Sequence, residues 1–134
     1  MQVEIPSLLV TDDDGDLRET LRAALEQRGF RTLAACDGEE ALKIVQSVQV
    51  HLLLLDMNMP RLTGLETIRR VKQITEQLPC ILMSAAMDDR LAEEAFRARA
   101  FHVLAKPVRF ADLTGSVHRA LQQAYGWSGH SLNS

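Results

Sequence analysis

Four consecutive leucines followed by an aspartate constrain this chain more than any other feature of its sequence. The segment is His51-Leu-Leu-Leu-Leu-Asp56-Met-Asn-Met-Pro60. A short apolar run that ends near a proline is typical of a strand buried on both faces, because proline cannot continue the ladder. A carboxylate directly after such a run is costly to bury unless a charged or hydrogen-bonding group contacts it. We therefore expect Asp56 to lie at a sheet edge among polar partners.

Apolar runs of strand length alternate with helical patterns along the rest of the chain. Residues spaced three or four positions apart predict a helix after each run. The five predicted strands are Ser7–Thr11, Phe30–Cys36, Val50–Leu55, Leu78–Met83 and Phe101–Ala105. Strands that alternate with helices in this way are typical of an α/β domain with a parallel sheet.

The length of 134 residues is sufficient for one domain with a sizeable core. We assign residues 1–125 to this domain and predict that residues 126–134, which show no periodicity, form a flexible C-terminal tail. Trp127 is isolated in that tail, and no contact is predicted for it.

Composition excludes several classes of protein. Fifteen basic and eighteen acidic residues give a net charge of −3, which offers no electrostatic basis for nucleic-acid binding. No apolar run approaches the roughly 20 residues of a membrane span, and Glu4 and Pro6 interrupt any signal peptide. We expect a cytoplasmic protein in which Cys36 and Cys80 are buried, reduced thiols.

Polar residues follow four of the predicted strands. They are Asp12, Asp13, Asp56, Ser84 and Lys106. Ligands of open parallel sheets bind at the carboxyl ends of the strands, so these side chains should share one edge. Neighbouring carboxylates repel unless a cation joins them, and oxygen ligands without histidine or thiolate favour Mg²⁺.

Each of these residues alone has a simpler explanation. Aspartates at a helix start cap free N–H groups, and we expect Asp14 and Asp16 to do so. Ser84 alone would be a strand-end hydroxyl, and Lys106 alone a surface charge. The coincidence at four strand ends is what indicates a site.

A carboxylate beside a divalent cation, a lysine and a hydroxyl can attack phosphorus and form an acyl phosphate. The sequence contains no GxSxG, GxxxxGK[ST], GxGxxG or HExxH motif. The four histidines share no spacing, and we interpret none as a ligand or base. They are His51, His102, His118 and His130.

Four motifs in order resemble the receiver domain of two-component response regulators. They are Leu-Leu-Val-Thr-Asp12-Asp13-Asp14, Leu-Leu-Leu-Leu-Asp56-Met-Asn-Met-Pro60, Ile-Leu-Met-Ser84-Ala and Val-Leu-Ala-Lys106-Pro107. The resemblance covers Leu8 to about Tyr125. It implies a flavodoxin-like (βα)5 three-layer sandwich, with a parallel five-stranded sheet in order 2-1-3-4-5.

The resemblance also implies a phosphoacceptor and a metal site. Asp56 would accept a phosphoryl group from a sensor histidine kinase or a histidine phosphotransfer protein. Asp12 and Asp13 would hold Mg²⁺ or Mn²⁺, with Asp13, Asp56 and the backbone carbonyl of Asn58 as direct ligands.

Further residues take roles from the same resemblance. Ser84 and Lys106 would bind the phosphoryl oxygens, and the Lys106–Pro107 peptide would be cis. Gly64 would occupy a position that needs positive φ.

Three residues depart from the family pattern. Val103 stands where receivers commonly have tyrosine or phenylalanine, so we predict that switching relies on Ser84 and on displacement of the loop after it. Arg99 stands where the family often has a glycine of positive φ, and Arg109 replaces the usual capping residue of the last helix.

The implied function is that of a phosphoprotein in a phosphorelay, with no enzymatic activity beyond self-phosphotransfer and autodephosphorylation. A downstream protein target, a covalent output domain and a homodimer stay open as partners, whereas neither membrane nor nucleic-acid contact is expected. The sequence names no kinase or pathway.

Two alternatives remain. A haloacid-dehalogenase-like phosphatase also uses an aspartate after an apolar strand, but it needs an acidic residue two positions on, where this chain has Asn58. A receiver-like docking module that signals without phosphorylation is favoured by Val103 and disfavoured by the complete set of acidic residues, Ser84 and Lys106.

Overall fold

A computed structural model describes residues 3–129 as five strands alternating with five helices. The strands are β1 (Ser7–Thr11), β2 (Arg31–Ala35), β3 (Leu52–Asp56), β4 (Cys80–Ser84) and β5 (His102–Ala105). The helices are α1 (Gly15–Gln27), α2 (Gly38–Ser47), α3 (Gly64–Ile74), α4 (Asp89–Arg97) and α5 (Phe110–Tyr125). All neighbouring strands are parallel, and their order is β2-β1-β3-β4-β5. The predicted fold and strand order are confirmed.

The sheet separates two apolar cores, each covered by its own helices. Side chains alternate across a strand, so in β3 Leu52 and Leu54 face the core that α1 and α5 cover. Leu53 and Leu55 face the other core, to which α2, α3 and α4 contribute. Because helices cover both faces, all five residues of β3 are buried.

Side-chain caps begin four of the five helices. Asp14, Asp37 and Asp88 cap α1, α2 and α4, and Thr63 forms a capping box with Glu66 at α3. These caps satisfy backbone N–H groups that have no partner within the helix. They also fix where each helix starts behind its strand.

The start of α5 lacks such a cap. Arg109 occupies the N-cap position without a side-chain hydrogen bond to the helix, as the sequence predicted. At its other end α5 stops at Gly126, which has a φ of 68° and donates to the carbonyl of Gln122.

Gly64 was predicted to need positive φ, and this prediction is wrong. Gly64 is the first residue of α3 and is not among the residues of positive φ. Gly64 instead lies close against β3 and β4: a Cβ there would lie 2.5 Å from the Asp56 carbonyl oxygen and 2.5 Å from Leu82 Cδ1. Glycine is required at this position because the backbones approach closely.

Two arginines adopt the left-handed backbone region, which only glycine enters readily. Arg99 has a φ of 64°, so the expected positive φ is retained at a cost of about 1 kcal/mol. Arg61, in the loop between β3 and α3, has a φ of 69° that the sequence did not indicate.

The two cysteines differ in exposure. Cys80 is buried in β4, whereas Cys36 is exposed beyond the end of β2. The prediction that both thiols are buried is therefore wrong for Cys36. Both cysteines are free, as expected.

Residues beyond α5 continue to pack on the domain as far as the description extends. Trp127 is 6% exposed and contacts the rings of Phe30 and His118, and its indole N–H donates to the Glu4 carbonyl. No contact was predicted for Trp127, because an isolated aromatic residue has no periodicity. Residues 130–134 of the predicted tail, with His130, lie outside the described residues, and the domain division stays a prediction.

Candidate functional site: an acidic cluster at the carboxyl edge of the sheet

The ends of three strands bring the predicted polar residues to one edge of the sheet. Asp12 follows the last residue of β1, Asp56 is the last residue of β3, and Lys106 follows β5. Thr11 pairs with Leu55 across the two central strands, so the next residues along, Asp12 and Asp56, lie side by side.

Lys106 lies between the two buried carboxylates. Its Nζ is 2.8 Å from Asp56 Oδ1 and 3.1 Å from Asp12 Oδ2. The side chains of Asp56 and Asp12 are only 7% and 1% exposed, whereas that of Lys106 is 20% exposed. One ammonium thus compensates two carboxylates that would otherwise repel each other.

The pKa shifts follow from this arrangement. Burial raises the pKa of the Asp56 carboxyl, a hydrogen bond from Lys106 opposes the shift, and the negative charge of Asp12 adds to it. Burial lowers the pKa of Lys106, but hydrogen bonds to the two carboxylates outweigh it and raise the pKa overall. The lysine is therefore held as a cation.

A third carboxylate completes the cluster. One oxygen each of Asp12, Asp13 and Asp56 lie within 4.8 Å of one another. Asp13 is exposed, so the cluster is open to solvent on that side. Three carboxylates at this spacing, with no histidine or thiolate among them, fit a hard divalent cation such as Mg²⁺.

The aspartates after β1 have separate tasks. Asp14 accepts the N–H of Leu17 and caps α1, as predicted. Asp12 instead accepts the N–H of Asp14 through Oδ1, and Arg18 donates to the Asp12 backbone carbonyl at 2.8 Å. The first bond orients the Asp12 carboxylate, whose other oxygen contacts Lys106, and the second holds the backbone that carries it.

Ser84 is buried at the end of β4, where its hydroxyl bonds to the loop that follows. The hydroxyl donates to the Ala86 carbonyl at 2.9 Å and accepts the Ala86 N–H at 3.2 Å. Asn58 is exposed, two residues beyond Asp56. The predicted cis peptide between Lys106 and Pro107 is present.

The histidines that the structure describes have other contacts. His51 Nδ1 accepts the N–H of Ser7 at 2.9 Å, and His102 Nδ1 lies 3.0 Å from Ser116 Oγ. His118 packs against Phe30 and Trp127. Within residues 3–129, the group able to hold a metal contains no histidine.

Sequence reasoning missed one interaction beside the site. Arg61, in the loop that leaves β3, forms an ion pair with Asp37 at the start of α2. The pair joins residues 24 positions apart, so no local pattern could have revealed it. The one available signal was a basic residue directly after Pro60.

The response regulator receiver domain is the family whose model matches this chain, over residues 8–118. AfsQ1 of Streptomyces coelicolor, a transcriptional regulatory protein, is 33% identical over 119 residues, which are 89% of this chain. The regulatory protein AtoC of Escherichia coli is 32% identical over 118 residues. The chain spans only 52% of AfsQ1 and 26% of AtoC.

Solved structures share the fold. A receiver domain from Clostridium thermocellum superposes with a TM-score of 0.84 at 29% identity, covering 89% of this chain and 96% of that one. TrrA of Thermotoga maritima, solved in complex with Mg²⁺-BeF, has a TM-score of 0.80 at 31% identity and covers 87% of this chain and 100% of its own.

Between residues 3 and 129, no helix has the length and apolar content that crossing a membrane requires. The fold, the acidic pocket and the family match agree with one another. The chain belongs to the response regulator receiver domain family, the CheY-like receivers of two-component signalling, which interact with histidine kinases and are not classical enzymes.

Proposed function

We propose that Asp56 is the phosphoacceptor of this receiver and takes a phosphoryl group from a phosphohistidine of a sensor kinase or phosphotransfer protein. The observation that carries the proposal is the position of Asp56 at the end of a buried strand, 2.8 Å from Lys106 and within the three-aspartate cluster. A carboxylate placed in this way has the Lys106 ammonium beside it to stabilise negative charge that the reaction develops.

In the proposed step an oxygen of Asp56 attacks phosphorus and forms an acyl phosphate. The P–N bond of the phosphohistidine breaks, and its electron pair returns to the imidazole nitrogen, which then takes up a proton from solvent. Lys106 stabilises negative charge on the transferring oxygens, because its ammonium is already held beside Asp56.

Asp12, Asp13 and Asp56 would hold Mg²⁺ together with the backbone carbonyl of Asn58. A divalent cation supplies charge neutralisation for the phosphoryl oxygens. The donor set supports this assignment because it consists of carboxylate oxygens within 4.8 Å of one another. The Mg²⁺-BeF complex of TrrA, 31% identical to this chain, supports the same assignment.

Ser84 would bind a phosphoryl oxygen after leaving its partners in Ala86. Its hydroxyl already stands at the end of β4, next to β3, and is 1% exposed. Exchanging its bonds to Ala86 for one to the phosphoryl group would move the loop between β4 and α4. This is the switching route that remains when Val103 replaces the aromatic residue.

The surface formed by α4, β5 and α5 would bind the output partner. Phe96, on α4, is 82% exposed, and Met87, in the loop before α4, is 47% exposed. Met87 lies within the loop that Ser84 would move, and Phe96 lies on the helix that follows it, so phosphorylation would alter the surface on which a partner docks.

Incubation with acetyl phosphate and Mg²⁺, followed by intact mass measurement, tests the proposal. We expect the wild-type mass to increase by one phosphoryl group, and we expect no increase when EDTA removes the metal. Asp56→Asn should show no increase, whereas Asp16→Asn, an exposed aspartate in the first turn of α1, should behave as wild type. Labelling of Asp56→Asn to the wild-type extent would disprove the proposal.

A further inference from the structure

Hydrogen bonds and buried side chains hold the loop between β3 and α3, residues 57–63, in place after the phosphoacceptor strand. Met57 donates to the Met83 carbonyl at 2.8 Å, and the Met57 carbonyl accepts the N–H of Gly64 at 2.8 Å. Met59 and Leu62 are 8% and 6% exposed. These hydrogen bonds and buried side chains restrict movement of the loop.

Arg61 occupies the most unusual backbone position in that loop. Its φ of 69° lies in the left-handed region, which residues with a side chain rarely adopt. Such a conformation persists where surrounding contacts hold it, and it is frequent beside functional sites. The contacts of Arg61 therefore show what holds its backbone in this conformation.

The guanidinium of Arg61 reaches across the carboxyl edge to α2. Its Nη2 pairs with Asp37 Oδ2, and its Nε lies 3.8 Å from Glu39 Oε2. Asp37 is itself fixed, since its other oxygen accepts the Glu40 N–H at 2.8 Å as the cap of α2. The hydrogen bond from the Glu40 backbone N–H lowers the pKa of the Asp37 carboxyl most, and the hydrogen bond and charge of Arg61 lower it further. The carboxylate therefore stays charged.

Helix α2 is in turn packed tightly against the far end of the same loop. A Cβ at Gly38 would overlap Thr67 Oγ1 and lie 3.1 Å from Leu62 Cβ. The Arg61–Asp37 ion pair thus joins the loop to a rigid neighbour. Asn58 lies on the segment between Asp56 and this ion pair.

We propose that Arg61 is a positioning residue for the metal and phosphoryl site, because its ion pair with Asp37 holds the 57–63 loop where the Asn58 carbonyl can complete the cation's ligands. The inference rests on the proposed function of Asp56. Groups that orient metal ligands typically change metal affinity or activity by 10- to 100-fold when removed.

Arg99 offers a matched control for this test. It also has a left-handed φ, 64°, and an ion pair, with its Nη1 2.7 Å from Glu76 Oε1. Its side chain is 54% exposed, similar to the 61% of Arg61. The pair lies between the loops that precede β4 and β5, at the amino edge of the sheet, away from the acidic cluster.

The experiment replaces each arginine by glycine, which accepts a left-handed φ without strain and keeps the loop folded. Titration with MgCl₂ in a calorimeter should show affinity about tenfold weaker for Arg61→Gly, with no loss of melting temperature. Arg99→Gly should bind MgCl₂ as wild type does. A purely structural role would lower the melting temperature and leave the affinity unchanged.

Two further variants test whether the ion pair is the cause. Arg61→Lys keeps the charge and should recover part of the affinity. Asp37→Asn keeps an oxygen for the helix cap and should weaken MgCl₂ binding as Arg61→Gly does, with no further loss in the double variant. Wild-type affinity in Arg61→Gly, or an equal loss in Arg99→Gly, would overturn the inference while leaving the function of Asp56 intact. Failure of wild type to bind MgCl₂ or to be phosphorylated would overturn both.

Discussion

The two edges of the sheet hold their polar groups in different ways. At the carboxyl edge, Lys106 contacts the buried carboxylates of Asp12 and Asp56. At the amino edge the contacts around the buried His51 are uncharged: His51 accepts the Ser7 N–H, and the Tyr125 hydroxyl donates to the His51 carbonyl at 2.8 Å. Burial lowers the pKa of His51 and raises that of Tyr125 to about 12, so both stay neutral.

This difference indicates that the carboxyl edge serves the phosphoryl chemistry and that the amino edge serves the stability of the fold. Charges held close together at the carboxyl edge can bind a cation and an anion, but their repulsion makes that edge depend on Lys106. The neutral hydrogen bonds and the ring contact of His51 at the amino edge have no such conflict and stabilise the fold. Substitutions at the first edge should therefore change phosphorylation most, and those at the second should change stability alone.

Replacing Lys106 by methionine should have the largest effect. The substitution keeps an unbranched side chain but removes the ammonium between the two carboxylates, so transferring oxygens lose their donor. We expect labelling by acetyl phosphate at saturating Mg²⁺ to slow by roughly 10²-fold, as for loss of one charge-stabilising donor. Lys43→Met, an exposed lysine on α2, is the control. An unchanged initial rate in Lys106→Met would remove the lysine from the mechanism.

Gly64→Ala should lower the free energy of unfolding by roughly 1–3 kcal/mol, because the new methyl group at the carboxyl edge overlaps the Asp56 carbonyl. Urea unfolding measures the loss. Gly115→Ala is the matched control: its Cβ would meet only the flexible end of Arg119, at 3.2 Å, and alanine favours a helix by about 1 kcal/mol. Equal stability of the two variants would contradict the close approach at Gly64.

The start of α5, compared with the start of α3, provides a smaller test. Its start at the carboxyl edge has no side-chain cap, and Arg109 there has the extended φ and ψ of −80° and 132° that a capping serine adopts. We expect Arg109→Ser to raise the free energy of unfolding by about 1 kcal/mol. Thr63→Ala, which removes an existing cap at α3, should lower it by a similar amount. If Arg109→Ser is no more stable than wild type, the start of α5 is satisfied in another way.

The smallest effect concerns pH at the amino edge. Because burial lowers the pKa of His51, the unfolded chain binds a proton more readily than the folded one. The stability that neutral His51 contributes is complete above the ordinary pKa of about 6.5. It is lost as pH falls from there toward the lower pKa of His51 in the folded protein. His51→Asn keeps an acceptor for Ser7 without titrating, so its melting temperature should fall less between about pH 7 and pH 5. An identical pH dependence would place the titration elsewhere.

Much of this architecture was predictable from the sequence, since it follows from local patterns. A run of four leucines has to be buried on both faces, and strand ends in a parallel sheet meet at one edge. Asp12, Asp56 and Lys106 could therefore be brought together although 94 positions separate the first from the last. The caps at Asp14 and Asp88 also depend on local sequence only.

The features that escaped prediction depend on distant contacts. A glycine such as Gly64 can serve either positive φ or close packing, and its own sequence does not distinguish the two. Trp127 is buried because Phe30 and His118 lie beneath it, and Arg61 finds Asp37 only after α2 and the loop are in place. Each of these outcomes is set by tertiary packing rather than by periodicity.

Locating the phosphoryl group shows whether Asp56 is the phosphoacceptor, because three carboxylates share the cluster. Phosphorylated protein is reduced with borohydride, which converts an acyl-phosphorylated aspartate to homoserine, and the modified peptide is sequenced by mass spectrometry. We expect homoserine at position 56 alone. Homoserine at Asp12 or Asp13, or at no position in labelled protein, would contradict it.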